Sequence, residues 1–307
     1  MILKYSLIIP HFNDHERLER LLNTVPVNRQ DVEVLVVDDC SPDQSAIRAL
    51  KDRWPMVRWL STPENCGAGA ARNVGLSHAQ GERLVFADSD DEFLPEAFNA
   101  FDEHVQPEDE LVYFFAEAMQ EVDGEPSNRA DRLNDLCQTY LDEQTKVALD
   151  CLKVRSVVAV AKVYSRKFIE KIGARFEETR VSNDVAFNVL AAVQTRHVRV
   201  VPVPVYRIYR RKGSLTSDPS PDAFLQRVNV MARLAATLKW LGIRDLPHGT
   251  GYMLISFTYG PLTAYRTWRI CLRSDLRIEL YRMLQFSRWR RFVLNLASNS
   301  KEKKRIK

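Results

Sequence analysis

Four short apolar runs in the first hundred residues alternate with segments of helical periodicity. They are SLIIP (Ser6 to Pro10), VEVLVV from Val32, VRWL from Val57, and RLVF ahead of Ala87. Strands that are apolar along their whole length are covered on both faces, and strands alternating with helices build a parallel sheet. Three of the runs stop at a polar cluster: Pro10-His11-Phe12-Asn13 after the first, Asp38-Asp39 after the second, and Asp88 to Asp91 after the fourth. In a parallel sheet those ends lie side by side, so residues distant in sequence share one crevice.

The last cluster, ADSDDEF, places three carboxylates within four positions. Crowded carboxylates repel unless a cation joins them, and oxygen-only ligands suit a hard divalent ion such as Mg or Mn, an ion that bridges phosphates. An acidic turn ahead of a helix is the structural alternative. The glycines of Gly67-Ala68-Gly69 fit a dinucleotide fingerprint only loosely, because the third glycine is missing and the turn follows the third strand. A tight strand-to-helix turn is the better reading.

With 307 residues, the chain is expected to form one large or two modest domains. Five scattered cysteines with no CxxC pair fit a reduced, cytosolic setting. The N-terminal LIIP is a strand followed by a stop rather than a signal sequence, and no segment approaches the ~20 apolar residues of a spanning helix. An integral membrane protein is therefore not expected.

Further along, the polar stretch EVDGEPSNRADRLND (121–135) reads as a loop. VRSVVAVAKVYSRKFIEKIG offers a strand and a helix ended by Gly173. In FEETRVSNDVAFNVLAAV, Asp184 stands at the start of an amphipathic helix, where the free N–H groups and the dipole favour a carboxylate. A plain N-cap at Ser182 or Asn183, with Asp184 in the first turn, is the alternative. VYRIYRRKGSLTSD then sets cations, hydroxyls and a glycine on one loop, a composition suited to a diphosphate, although a basic surface loop has the same composition.

In this order SLIIPHFND, VVDDCS, NCGAGAARNVGL and FADSDDEF resemble the nucleotide-binding half of the family 2 inverting glycosyltransferases, over roughly Ser6 to Asp218. The resemblance implies a GT-A-like, Rossmann-related α/β fold with a mostly parallel sheet flanked by helices. It implies that Pro10 and Asn13 line a uracil and ribose pocket and that Asp39 accepts the uracil N3 proton. It makes Asp88 and Asp90 the DxD pair, with Asp90 on the metal and Asp88 near the ribose or the metal's waters. Arg72 would lie by the base or phosphates, and Asp184 would be the general base. The mobile loop would bring Arg211, Ser214 and Ser217 to the diphosphate. Where the family carries Glu-Asp, this chain has Asn183-Asp184, which keeps the base and removes a neighbouring charge. Each position has a structural alternative: a helix cap for Asn13, a fixed turn for Asp39, a solvated helical charge for Arg72.

The expected organisation is a GT-A domain over residues 1–218, split near residue 100 into nucleotide and acceptor halves, and a helical basic region over 219–307. From Arg266 to Lys307, 13 cations face 3 carboxylates, interleaved with Tyr265, Trp268, Tyr281, Phe286 and Trp289. That composition suits an anionic membrane surface, which a lipid-linked acceptor would explain, or packing on the catalytic domain or a second subunit. Nucleic acid is disfavoured because no recognisable module accompanies the charge. The expected activity is metal-dependent transfer from a nucleotide-sugar donor to a glycan or lipid-linked acceptor in cell-surface polysaccharide assembly. The expected location is cytoplasmic, peripheral to the inner membrane. The rivals are a sugar nucleotidylyltransferase, whose glycine-rich, arginine-containing loop is absent after Ile9, and a non-catalytic scaffold.

Overall fold

The computed structural model describes residues 3–211, 218–243 and 247–279. The chain divides into two compact units, Met1–Leu215 and Thr216–Lys307.

The first unit is built on one eight-stranded sheet. Its strands are β1 (Tyr5–His11), β2 (Val32–Asp38), β3 (Arg58–Ser61), β4 (Arg83–Phe86), β5 (Glu92–Phe93), β6 (Leu111–Gln120), β7 (Lys162–Ser165) and β8 (Val198–Arg210). The order is β3-β2-β1-β4-β7-β6-β8-β5. The first four run parallel, as their apolar runs require. β7 is antiparallel to both β4 and β6, β8 is parallel to β6, and β5 is antiparallel to β8, so the whole sheet is mixed. Every residue of β1 and β4 is buried. The chain leaves β1 toward β2 on one side, and β4 joins it on the other, so the crevice beyond His11 and Phe86 is a topological switch point.

Helices cover the sheet by single faces. In α1 (His15–Leu22) only Leu18, Leu21 and Leu22 are buried, an i, i+3, i+4 stripe. The Asp43 side chain starts α2 (Gln44–Arg53) by accepting from the N–H groups of Ser45 and Ala46. The others are α3 (Ala68–His78), α4 (Ala97–His104), α5 (Asp131–Glu143), α6 (Lys146–Arg155), α7 (Arg166–Ile172) and α8 (Val185–Gln194). The core under β4 is aromatic: Phe86 lies 5.6, 5.0 and 5.5 Å from the rings of Tyr164, Phe176 and Phe187. Gly173 ends α7 in the left-handed conformation, as its place in the sequence predicts.

One expected loop is shorter than its composition indicates. Residues from Asp131 onward are already α5, because Leu133 and Cys137 form a buried i, i+4 pair that reaches past the end of the polar stretch. Cys40, just after β2, is exposed and holds a left-handed φ of 61°.

The second unit contains α9 (Pro221–Trp240), α10 (Thr250–Ser256), a short 3-10 turn (Phe257–Tyr259) and α11 (Pro261–Leu272). Ser220 caps α9, and Phe224 and Val228 on α9 pack in one cluster with Cys271 of α11 and Leu276. Among the described residues, no helix is long and apolar enough to cross a membrane.

Candidate active site

β4 delivers Asp88, Asp90 and Asp91 in a tight turn closed by the Asp91 N–H on the Asp88 carbonyl at 3.1 Å. One oxygen from each carboxylate lies within 4.8 Å of the others. They differ in what surrounds them. Asp91 is buried and accepts from the Tyr209 N–H at 2.8 Å and from the Tyr206 hydroxyl; burial, then Asp88 and Asp90, hold its carboxyl well above the usual range. Asp90 is raised by burial and then by Asp88, and it accepts from Arg211 Nε at 2.8 Å. Asp88 is the most accessible of the three, and its backbone N–H donates to the Tyr206 hydroxyl at 2.9 Å. Asp91 therefore serves the fold, while Asp88 and Asp90 present oxygens to the crevice. Hard, crowded oxygen donors of this kind fit a divalent cation of the Mg or Mn type.

Arg72 joins this cluster to the next. It projects from α3, is 6% exposed, and donates to Asp88 Oδ1 and to Asn183 Oδ1, the latter at 2.8 Å. Its guanidinium also lies 5.3 Å from the Phe176 ring centroid. It is thus a buried clamp rather than a solvated helical charge. A charged Arg72 bridges one carboxylate and one amide, so Asn183 accepts its hydrogen bond without adding a second negative charge.

Asp184 occupies the N-cap position of α8, yet its side chain makes no capping hydrogen bond. The capping alternative is therefore not the geometry found. Burial raises its pKa; Arg72 opposes that shift, Asp88 adds to it, and Lys162 opposes it further. Beneath it, Asn188 Nδ2 donates to the Asp184 carbonyl at 2.8 Å and to that of Val157 at 3.0 Å, while its Oδ1 accepts from Tyr164 at 2.6 Å and from Lys162 Nζ at 3.2 Å. Lys162 also donates to the Ser156 carbonyl at 3.0 Å, and its complete burial lowers its pKa to about 7. This support was not visible in sequence: Lys162 and Asn188 sit in ordinary strand and helix patterns, and only the fold brings them together.

On the other side of β1, Asp39 directs its carboxylate at the β3–α3 turn. It accepts from Thr62 Oγ1 at 2.8 Å, the Cys66 N–H at 3.0 Å and the Gly67 N–H at 2.7 Å. The turn-fixing alternative is the one these bonds display; a nucleobase donor would use the remaining lone pair on Oδ2. Pro10 is buried in register with Val37. Asn13 is exposed at a φ of 49°, with its N–H on Ser41 Oγ at 2.8 Å, and the N-cap position of α1 belongs to Asp14 rather than to Asn13. His11 and His15 face each other at 3.0 Å, and burial followed by His15 pushes the His11 pKa down to about 4, so that ring is neutral near pH 7.

Gly69 lets α3 approach the segment leading to Asp184. A Cβ there would stand 2.0 Å from the Glu177 carbonyl oxygen and 2.9 Å from the Asn183 Cβ. Arg20, which no motif singled out, donates to the Asp90 carbonyl at 2.5 Å and stacks 4.1 Å from the Tyr209 ring centroid. Arg72, Asp88, Asp90, Asp184 and Arg211 thus belong to one continuous constellation, and Asp39 is tied to it through the turn that starts α3. Ser214 and Ser217 lie outside the described residues.

Comparison with known proteins agrees with this architecture. The family described as Glycosyl transferase family 2 matches residues 6–173. The poly(ribitol-phosphate) beta-N-acetylglucosaminyltransferase TarS of Staphylococcus aureus is 27% identical over 244 residues, covering 75% of this chain and 40% of TarS. The succinoglycan biosynthesis protein ExoO of Rhizobium meliloti is 24% identical over 223 residues, covering 69% of this chain and 62% of ExoO. The chain therefore spans less than two thirds of either relative. Among solved structures, S. aureus TarS 1–349 in complex with UDP-GlcNAc superposes with a TM-score of 0.57 at 20% identity, over 88% of this chain and 73% of that one. The mannosyltransferase PcManGT of Pyrobaculum calidifontis, solved with GDP-Man and Mn2+, gives 0.54 at 17% identity, over 89% and 76%. These two likenesses establish a shared fold. With the family match extending over more than half of its length, the chain belongs to glycosyl transferase family 2.

Proposed function

We propose that the protein transfers a sugar from a nucleoside-diphosphate donor, a UDP-sugar, to a hydroxyl of a glycan or lipid-linked acceptor, with inversion at the anomeric carbon. The observation that carries this reading is the Arg72 bridge, which couples the acids at the end of β4 to the N-terminus of α8. The acceptor oxygen forms its bond to the anomeric carbon as the bond to the diphosphate breaks. Asp184 takes the acceptor's proton, and the diphosphate departs with the electron pair. A positioned carboxylate in this role contributes roughly 10²–10⁴-fold.

Asp88 and Asp90 would hold a Mn or Mg ion, which when bound supplies positive charge to the diphosphate oxygens. Arg211, paired with Asp90 at 2.8 Å, would share the leaving charge, and Ser214 and Ser217, outside the described residues, are assigned the same role by their place in the sequence. Pro10, Asn13 and Asp39 form the side of the crevice assigned to the base and ribose. The raised pKa of Asp184 suits a base that must both release and accept a proton. The relatives that make poly(ribitol-phosphate) and succinoglycan products support a cell-surface polymer as the end product. The five free cysteines fit a reducing compartment.

The test is thermal shift and UDP release with a panel of nucleotide sugars, with and without Mn. The expected result is a Mn-dependent rise in melting temperature with UDP compounds that Asp90→Ala removes, and UDP release that Asp184→Asn removes without loss of UDP binding. A flat response across all nucleotide sugars would overturn the reading.

A further inference from the structure

α11 is built inside out. Its buried face carries Thr263, Ala264, Thr267 and Cys271, whereas Leu262, Tyr265, Trp268 and Leu272 are 61%, 52%, 44% and 64% exposed. A helix whose only task is packing directs its large apolar residues inward. Here the inward hydroxyls are satisfied within the helix, with Thr267 Oγ1 donating to the Thr263 carbonyl at 2.9 Å, so the small face is stable against the rest of the unit. The large face continues onto Phe257, which is 54% exposed. Met253, Phe257, Pro261, Ala264, Tyr265 and Trp268 line an apolar depression of about 400 Å³ in it.

Arginines accompany that apolar face. Arg266, Arg269 and Arg273 are exposed, and among the described residues no carboxylate pairs with them. Arg269 lies 5.8 Å from the Tyr265 ring centroid. No Asp or Glu occurs from His248 to Ser274, and the next acid, Asp275, is engaged by Lys239 at 2.6 Å. Exposed leucine, tyrosine and tryptophan beside uncompensated arginines match the layered chemistry of a bilayer interface, where aromatic rings sit at headgroup depth and long cations reach lipid phosphates. A nucleic-acid backbone would use the cations and leave Leu262 and Leu272 in water.

We infer that the outward face of α11, with Phe257, is a docking surface for an anionic phospholipid bilayer. It does not depend on the transferase reading, and a failure of either leaves the other intact.

The experiment is co-sedimentation of the full chain with phosphatidylcholine vesicles, with or without phosphatidylglycerol. Gel filtration with light scattering and an oligonucleotide shift run alongside. The parent should pellet with phosphatidylglycerol vesicles, much less with pure phosphatidylcholine, and be released by high salt. Trp268→Glu and Leu272→Glu, both at exposed positions, should each abolish pelleting while far-UV circular dichroism and melting temperature stay at parent values. Each of Arg266→Gln, Arg269→Gln and Arg273→Gln should weaken binding about fivefold. No pelleting of the parent, equal pelleting with both vesicle types, or unchanged pelleting of both glutamate variants would overturn the inference. So would a parent dimer that Trp268→Glu dissociates, or an oligonucleotide complex formed in place of vesicle binding.

Discussion

Asp184 and Lys162 are shifted by burial in opposite directions at the two ends of one hydrogen-bonded network. In the proposed role of base Asp184 must be ionised, so kcat/KM should fall as pH drops through its raised pKa. Arg72→Gln removes the strongest influence opposing that rise, so the acidic limb of a UDP-release pH profile should move to higher pH. Lys162 gives the complementary test in stability. Its folded pKa of about 7 is below the unfolded value, so between those values the unfolded chain binds the extra proton and stability rises with pH. The parent should therefore gain on Lys162→Met by up to ~1.4 kcal/mol per pH unit above pH 7, read in denaturant melts at stepped pH. Asp88, Asp90 and Asp91 were legible in sequence because clustering marks them within a few positions, and Asp184 by its place at the start of a helix. Arg72 was legible only as a residue of α3, since its partner Asn183 lies 111 positions away.

At the scale of elements, the close approach of α3 to the segment before α8 holds the two halves of the site in register. Gly69→Ala would force a Cβ against the Glu177 carbonyl oxygen. A cost of ~1–3 kcal/mol is expected, together with a loss of activity larger than the melting shift alone explains. Gly251→Ala in α10 is the control, because a Cβ there meets nothing within 4 Å; it should be neutral or stabilising by up to about 1 kcal/mol in the same thermal melts. The sequence disclosed that this glycine segment is a strand-to-helix turn. It did not disclose why Gly69 is small, because the reason is backbone from more than a hundred residues downstream. The same limit accounts for α5, whose buried pair of Leu133 and Cys137 sits in otherwise polar sequence, and for β7, where a fully buried lysine opens the strand.

For the whole molecule, the alternating apolar runs were enough to establish the parallel half of the sheet, because each run had to be covered on both faces. The antiparallel insertion of β7 between β4 and β6 carries no comparable local signal, since pairing direction depends on the connections. Phe86 sits where β4 and β7 meet, enclosed by three aromatic rings. Phe86→Ala should lower stability by ~3–5 kcal/mol in denaturant unfolding. The proposed donor, a UDP-sugar with Mn, should act in the opposite sense, adding ~2.7 kcal/mol at a hundredfold excess over the dissociation constant in scanning calorimetry.

Cys40 offers a practical consequence. Of the five cysteines it alone is exposed, and it follows Asp39 directly, just after β2, on the side of the crevice proposed for the nucleotide. Maleimide chemistry should therefore attach a fluorophore at this one thiol in the folded protein, reporting arrival of the proposed donor in real time without an engineered cysteine.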